Sequence, residues 1–355
     1  MVEVTKIGNK TLVMDGKILS LFRKGSLLRQ MYYGGYEDFD GANGGVWKKY
    51  INIPIKTVPL EYAQYLIEID DTNVSVYNVE RTLKAQSSIA SEFWSLVRSD
   101  GFDIRAFDHL FNQLWFWVEM FDYTNKKAKI WVRLPENSEE LNIAFGNEKA
   151  YESSYNNRDN TFEFFDDFDT KKPEWSLNYA TIDTTNSRLD IHPGAVGSDI
   201  ERGAWLNKVL TRNRVIEFKA SFQGKYTNPR PVWSVNWIDS SNYYAIGEFG
   251  LYRPSSSHVR VVIGGSSRTF GFTSKSLSEN TYYIFKIAWS KSNGNVKYWV
   301  DSDLLADVTD GSLKQLDASG LALTAKDLNH VYVDWIRVLK FADPATFDTP
   351  RILEF

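Results

Sequence analysis

The chain has 355 residues, of which 43% are hydrophobic, 15% aromatic and 24% charged, a composition that excludes a disordered polymer and allows two or three domains with real cores. Its 41 Lys and Arg against 45 Asp and Glu leave a formal charge of −4 with no long run of like charges, which argues against nucleic acid as a partner. Cysteine is absent, which excludes disulfides, thiolate metal sites and a cysteine nucleophile.

The opening stretch MVEVTKIGNKTLVMDGKILSLF carries charges every few residues and no apolar run of signal-peptide length. No segment reaches the ~18 apolar residues of a membrane span, so membrane insertion is not expected. TLVM and KILSLF flank Asp15-Gly16, a hairpin signal, and the glycine-rich Gly34 to Gly45 that follows reads as a linker.

From Trp47 onward extended segments follow one another: YINIPI, AQYLIEID, FDIRAF, LWFWVEMF, AKIWVRLP and LNIAFGN. Between Glu80 and Ser99 the apolar residues Leu83, Ile89, Phe93, Leu96 and Val97 recur at helical spacing, which predicts one helix. Past Phe162 the alternation is cleaner. Ile216, Phe218, Ala220 and Phe222 share a face, as do Trp233, Val235 and Trp237, and Tyr283, Phe285, Ile287 and Trp289. Asn293-Gly294 predicts another hairpin. The expected fold class is all-β: several β-sandwiches, the C-terminal one a jelly roll. The expected segments are 1–45 (a docking hairpin and linker), 46–160, 161–345 and a tail, 346–355.

Five motifs carry a resemblance. GFDIRAFD, LWFWVEMF, KIWVRLP, LNIAFGNEKA and the closing FEFFDDFD (Phe162 to Asp169) resemble an uncharacterised module of bacterial and archaeal surface proteins and some viruses, over residues 46 to 168. WSLNYATIDTTNSRLDI, VWSVNWIDSSNYYAIGEFGLY and VYVDWIRVLKF resemble a concanavalin-like or laminin-G-like jelly roll. The first 45 residues match no pattern.

Two readings of FEFFDDFD stand side by side: a junction strand with buried phenylalanines and solvated aspartates, or a calcium site. Laminarinase-type glycoside hydrolases, similar in fold, hold a structural calcium between their first strand and a "VDWVRV" last strand. That resemblance implies one Ca2+ on Asp166, Asp167 and Asp334. Alternation places Asp334 on one face with Tyr332, Ile336 and Val338. The four histidines are too scattered for a zinc site.

Retaining glycosidases need two carboxylates about 5 Å apart, and no strand here carries an E-x-D-x-x-E or E-x-D-x-E run; YYAIGEFGLY offers only Glu248. The expectation is therefore not an enzyme. Sugar binding needs only aromatic platforms and a few polar groups, for which Trp205, Trp237, Tyr243, Tyr252 and Arg253 are candidates, with core packing as the alternative for each. The function expected is a virion surface component (decoration, tail or receptor-binding) that contacts host-surface glycan, docks other virion proteins through its N-terminal segment and forms a symmetric homo-oligomer. The alternative is a secreted or cell-surface carbohydrate-binding or adhesion protein, or a glycoside hydrolase.

Overall fold

A computed structural model describes the chain except for residues 1, 8–9, 16–17, 24–25, 33–38, 58–61, 79–80, 87, 195–201 and 341–346, and describes the side chains from residue 39 onward outside those and a few neighbouring positions. Two compact units emerge: Met1–Thr161 together with Ala342–Phe355, and Phe162–Phe341. Among the described residues all strand pairing is antiparallel apart from one isolated bridge.

In the first unit, β1 (Val2–Ile7), β2 (Lys10–Asp15), β3 (Ile18–Arg23) and β4 (Ser26–Tyr32) form a meander. The β2–β3 pair is the hairpin expected at Asp15-Gly16, although Gly16 itself lies outside the described residues. Of the expected linker, residues 34–38 also lie outside them. Phe39 is buried against Trp47 and Phe107.

Next come β5 (Lys49–Pro54), β6 (Ala63–Ile69), β7 (Asn73–Tyr77), β8 (Arg81–Gln86), α1 (Ser88–Leu96), β9 (Arg105–Phe107), β10 (Phe116–Asp122), β11 (Lys127–Leu134), β12 (Glu140–Phe145) and α2 (Arg158–Thr161). The helix expected over 80–99 is thus only α1, which buries Ile89, Ala90, Phe93 and Trp94. Leu83 belongs to β8, which covers the open edge of β7 and satisfies its backbone groups. Five strands (β10-β11-β6-β7-β8) and four (β26-β5-β12-β9) enclose one apolar core, where β26 (Arg351–Glu354) returns to pair with β5 from the segment expected to be a tail.

The motif residues of this unit hold its backbone together. Buried Asp103 accepts from Gly146 N at 2.7 Å and Arg98 N at 3.1 Å, and its carbonyl accepts from Trp47 Nε1. Fully buried Arg105 donates to the carbonyls of Asp40, Phe102, Ile104 and Tyr151, all at 2.7 Å, and stacks on Trp47. Burial lifts the Asp103 carboxyl to about 6 and lowers Arg105 to about 10. These groups leave few free valences for chemistry.

The second unit contains β13 (Phe164–Asp166), β14 (Trp175–Asn178), β15 (Ala180–Asp183), β16 (Arg188–Ile191), β17 (Gly203–Leu206), β18 (Asn213–Asp239), β19 (Asn242–Gly247), β20 (Ser257–Ile263), β21 (Ser266–Phe272), β22 (Tyr283–Ser290), β23 (Asn295–Val300), β24 (Asp303–Thr309) and β25 (Gly320–Lys340). It is a jelly-roll sandwich. The front layer runs β14-β17-β25-β18-β19-β20-β21, and the back layer joins β13, β16, β22, β23 and β24 to the other ends of the same two long strands. Phe218, Trp233, Phe285, Trp289 and Tyr298 fill the core between them.

The alternation expected for Ile216 to Phe222 and for Tyr283 to Trp289 enters that core as read. The hairpin at Asn293-Gly294 has a four-residue loop, since Ser290 pairs with Asn295.

Candidate functional site

The front layer has one face in the core and an outer face whose residues line up in three rows across the strands. One row reads Ser176, Trp205, Ala322, Ser234, Ala245, Arg260, Thr269. The row beside it reads Asn178, Gly203, Thr324, Val232, Gly247, His258, and the third has Gly320, Trp237, Tyr243, Val262. Small residues, Ala322, Ser234 and Ala245, occupy the middle of the first row, and in the second row the His258 ring packs over Gly247.

Three of the expected sugar-binding residues meet here. The Trp205 and Trp237 ring centroids are 6.2 Å apart, and Trp237 lies 5.4 Å from Tyr243. Both tryptophans are half-buried, while Tyr243 is 3% exposed and packs with Val232, Ala245 and Val262 behind them. Arg260 Nη1 donates to Tyr243 Oη at 3.3 Å. Tyr252 and Arg253 are exposed and stack on each other, but they follow the far end of β19, ~13 Å along the strand from Tyr243 at the usual rise. They are not part of the array.

Alternation alone puts Trp237 with Trp233 and Val235, and the structure corrects this. β18 holds one extra residue between Ser234 and Asn236 relative to β19. That bulge turns Asn236 inward, where its amide bonds Asp317 O and Ser319 N, and turns Trp237 outward. Ser234 and Arg260, missed in the sequence, are recognisable only once Trp205, Ala322 and Ala245 are known to be their neighbours. Among the described residues, neither Trp205 Nε1 nor Ser234 Oγ has a hydrogen-bond partner, and Ser234 is 2% exposed.

The three aspartates expected to bind calcium do not converge. Asp166 is fully buried, opposite Ile336, and accepts from Phe168 N at 2.9 Å and Trp175 Nε1 at 2.7 Å. Asp167 is half-buried beside it. β25 bulges at Asp334, between the pairs Lys219 with Trp335 and Ala220 with Val333. The bulge takes Asp334 off the face of Ile336 and Val338, and its carboxylate meets Lys219 Nζ at 2.7 Å. Among the described residues no group of three or more His, Asp or Glu could hold a metal ion.

Glu248 is also removed from any surface chemistry. It is fully buried and accepts from Gly250 N, Ser257 Oγ, Ser274 Oγ and Tyr298 Oη at 2.6 to 3.1 Å. Burial raises its carboxyl above the ordinary range. It anchors the turn after β19.

A family described as a domain of unknown function, DUF2341, matches residues 100–178. No curated protein matches the chain. Solved structures similar to it include the Bacillus licheniformis beta-glucanase, 9% identical with a TM-score of 0.37, covering 50% of this chain and 98% of that one. A beta-1,3-glucanase from Mycobacterium marinum is 14% identical, TM-score 0.35, with coverage of 50% and 98%. A third, from work on endo-acting O-glycanases of the human gut microbiota that initiate mucin breakdown, is 13% identical, TM-score 0.39, with coverage of 51% and 99%.

These names correct the expectation that the chain is not an enzyme, since the similar structures include glucanases and glycosyl hydrolases. No residue role is carried over from them.

Proposed function

We propose that the second unit recognises carbohydrate on the outer face of its front layer. The carrying observation is the continuous array of Trp205, Trp237 and Tyr243, set beside small residues and a partly buried arginine–tyrosine hydrogen bond. A pyranose presents apolar C–H faces that stack on aromatic rings, while its hydroxyls need fixed polar partners at the rim. Two half-exposed tryptophans at this spacing serve the first need, and Arg260 and Ser234 serve the second. This is the carbohydrate-binding reading rather than the virion one.

The test is retention of the purified chain on a panel of β-glucans, galactans, uronans and mucin glycans, with Trp205→Ala and Trp237→Ala alongside. Retention that falls at least ten-fold in both variants, with melting unchanged, supports the reading. Equal retention by the variants, or none by the parent chain, overturns it. Reducing ends are measured in the same samples, and their release would add hydrolysis to recognition on this face.

A further inference from the structure

The two unpartnered polar side-chain atoms of the first row can each donate, and this bears on the ligand. An indole N–H and a guanidinium donate and cannot accept, while a serine hydroxyl has one proton to give and lone pairs that can accept. Trp205 Nε1 and Ser234 Oγ are screened from water and have no partner among the described residues. Each unmet buried donor costs free energy that a ligand acceptor would recover. They stand in one row, separated by Ala322, with Arg260 two strands further along beyond Ala245.

Fixed positive charge lies to one side of this row, past the adjacent row, in which the His258 ring packs so closely over Gly247 that a Cβ there would stand 2.7 Å from the imidazole. Arg230 and Lys326 pair one step past Val232 and Thr324. None of the residues named in these rows is Asp or Glu, although the chain as a whole is acidic; the nearest carboxylate along β14 is Glu174, the residue before the strand, whose Oε2 also has no hydrogen-bond partner among the described residues. An indole N–H and a guanidinium in one row, with further fixed positive charge past the next row, favour a group that accepts and carries negative charge.

We propose that the glycan is anionic and that one of its sugar-borne oxyanions, a carboxylate or a sulfate ester, seats over Ser234 between Trp205 and Arg260. The inference rests on the carbohydrate reading and adds the ligand class. Trp205 gives one hydrogen bond, Ser234 a second, and Arg260 a charge-assisted pair, while the sugar ring stacks on Trp237.

Matched polymers test it: polygalacturonate against its fully methyl-esterified form, and a sulfated galactan against its desulfated backbone. Affinity electrophoresis should show the charged member of at least one pair held ten-fold or more tighter, with the preference weakening as salt rises. Which pair shows it identifies carboxylate or sulfate. Ser234→Ala and Arg260→Gln should lower binding of the charged member at least ten-fold more than binding of the neutral one and so abolish the preference, whereas Trp237→Ala should weaken both alike. Equal binding of charged and neutral members, or a preference untouched in both polar variants, overturns the anionic assignment and leaves the aromatic platform standing. Absence of binding to every polymer, also across the broader panel, overturns the platform itself.

Discussion

Trp205 and Trp237 approach to 6.2 Å although they sit on β17 and β18, which are not neighbours, because β25 passes between them as Gly320 and Ala322. A Cβ on Gly320 would stand 2.0 Å from Leu206 O, so only glycine lets β25 approach β17 at this point. Ala322 leaves the space over which the two rings lean. Ala322→Leu should therefore push the rings apart and weaken glycan retention at least ten-fold. The extra methyls should cost about 1–3 kcal/mol of stability, read by melting of the second unit. Retention at parental strength in a folded Ala322→Leu chain would show that ring spacing is immaterial.

Asp103 gives the first unit a pH signature. Its folded-state carboxyl stands at about 6 against 3.8, because it is buried. A raised carboxyl pKa means that the folded state binds its proton more tightly than the unfolded state does. Stability is then highest below about pH 4, falls between about pH 4 and 6, and is level above, with a total drop of order 3 kcal/mol. Calorimetry of the first unit's transition should show that slope, and Asp103→Asn should flatten it. An unchanged slope in the variant would assign it to another group.

Glu248 is expected to matter for folding and not for sugar. Glu248→Ala strands four donors and should destabilise the second unit by about 3 kcal/mol or more. Glu248→Gln keeps one accepting oxygen and should cost less. If hydrolysis is found, it should survive Glu248→Gln in whatever fraction remains folded. Loss of turnover without loss of melting temperature would refute this.

Chelation should leave the melting of the second unit unchanged, since Asp166 and Asp334 are each engaged elsewhere and face different sides of the sheet. The exposed Lys219–Asp334 pair is worth about 0–1 kcal/mol, so Asp334→Asn should shift melting by a few degrees at most. A rise on adding calcium to metal-free protein would contradict the geometry.

Much of the fold was legible because alternation reports burial directly wherever a strand stays regular. Ile216 to Phe222 and Tyr283 to Trp289 are regular, and all are core or packed against it. Trp237 and Asp334 were misplaced for one shared reason. Each follows or forms a bulge, and a single extra residue reverses every side chain beyond it. Bulges leave no mark in composition. Leu83 matched a helical period over too few turns to outweigh an open strand edge. The aromatic members of the site were visible as residue types, but Ser234 and Ala322 owe their role to a pairing across about 90 residues, which no local pattern carries.

The pairing of β26 with β5 constrains the order in which the molecule is made. β5 leaves the ribosome some 300 residues before Arg351, which pairs with Asn52. Through the whole synthesis of the second unit the first has one sheet with an unoccupied side, a strand edge open to other nascent chains. The second unit, whose strands all lie within one continuous stretch, can close while the first is still waiting.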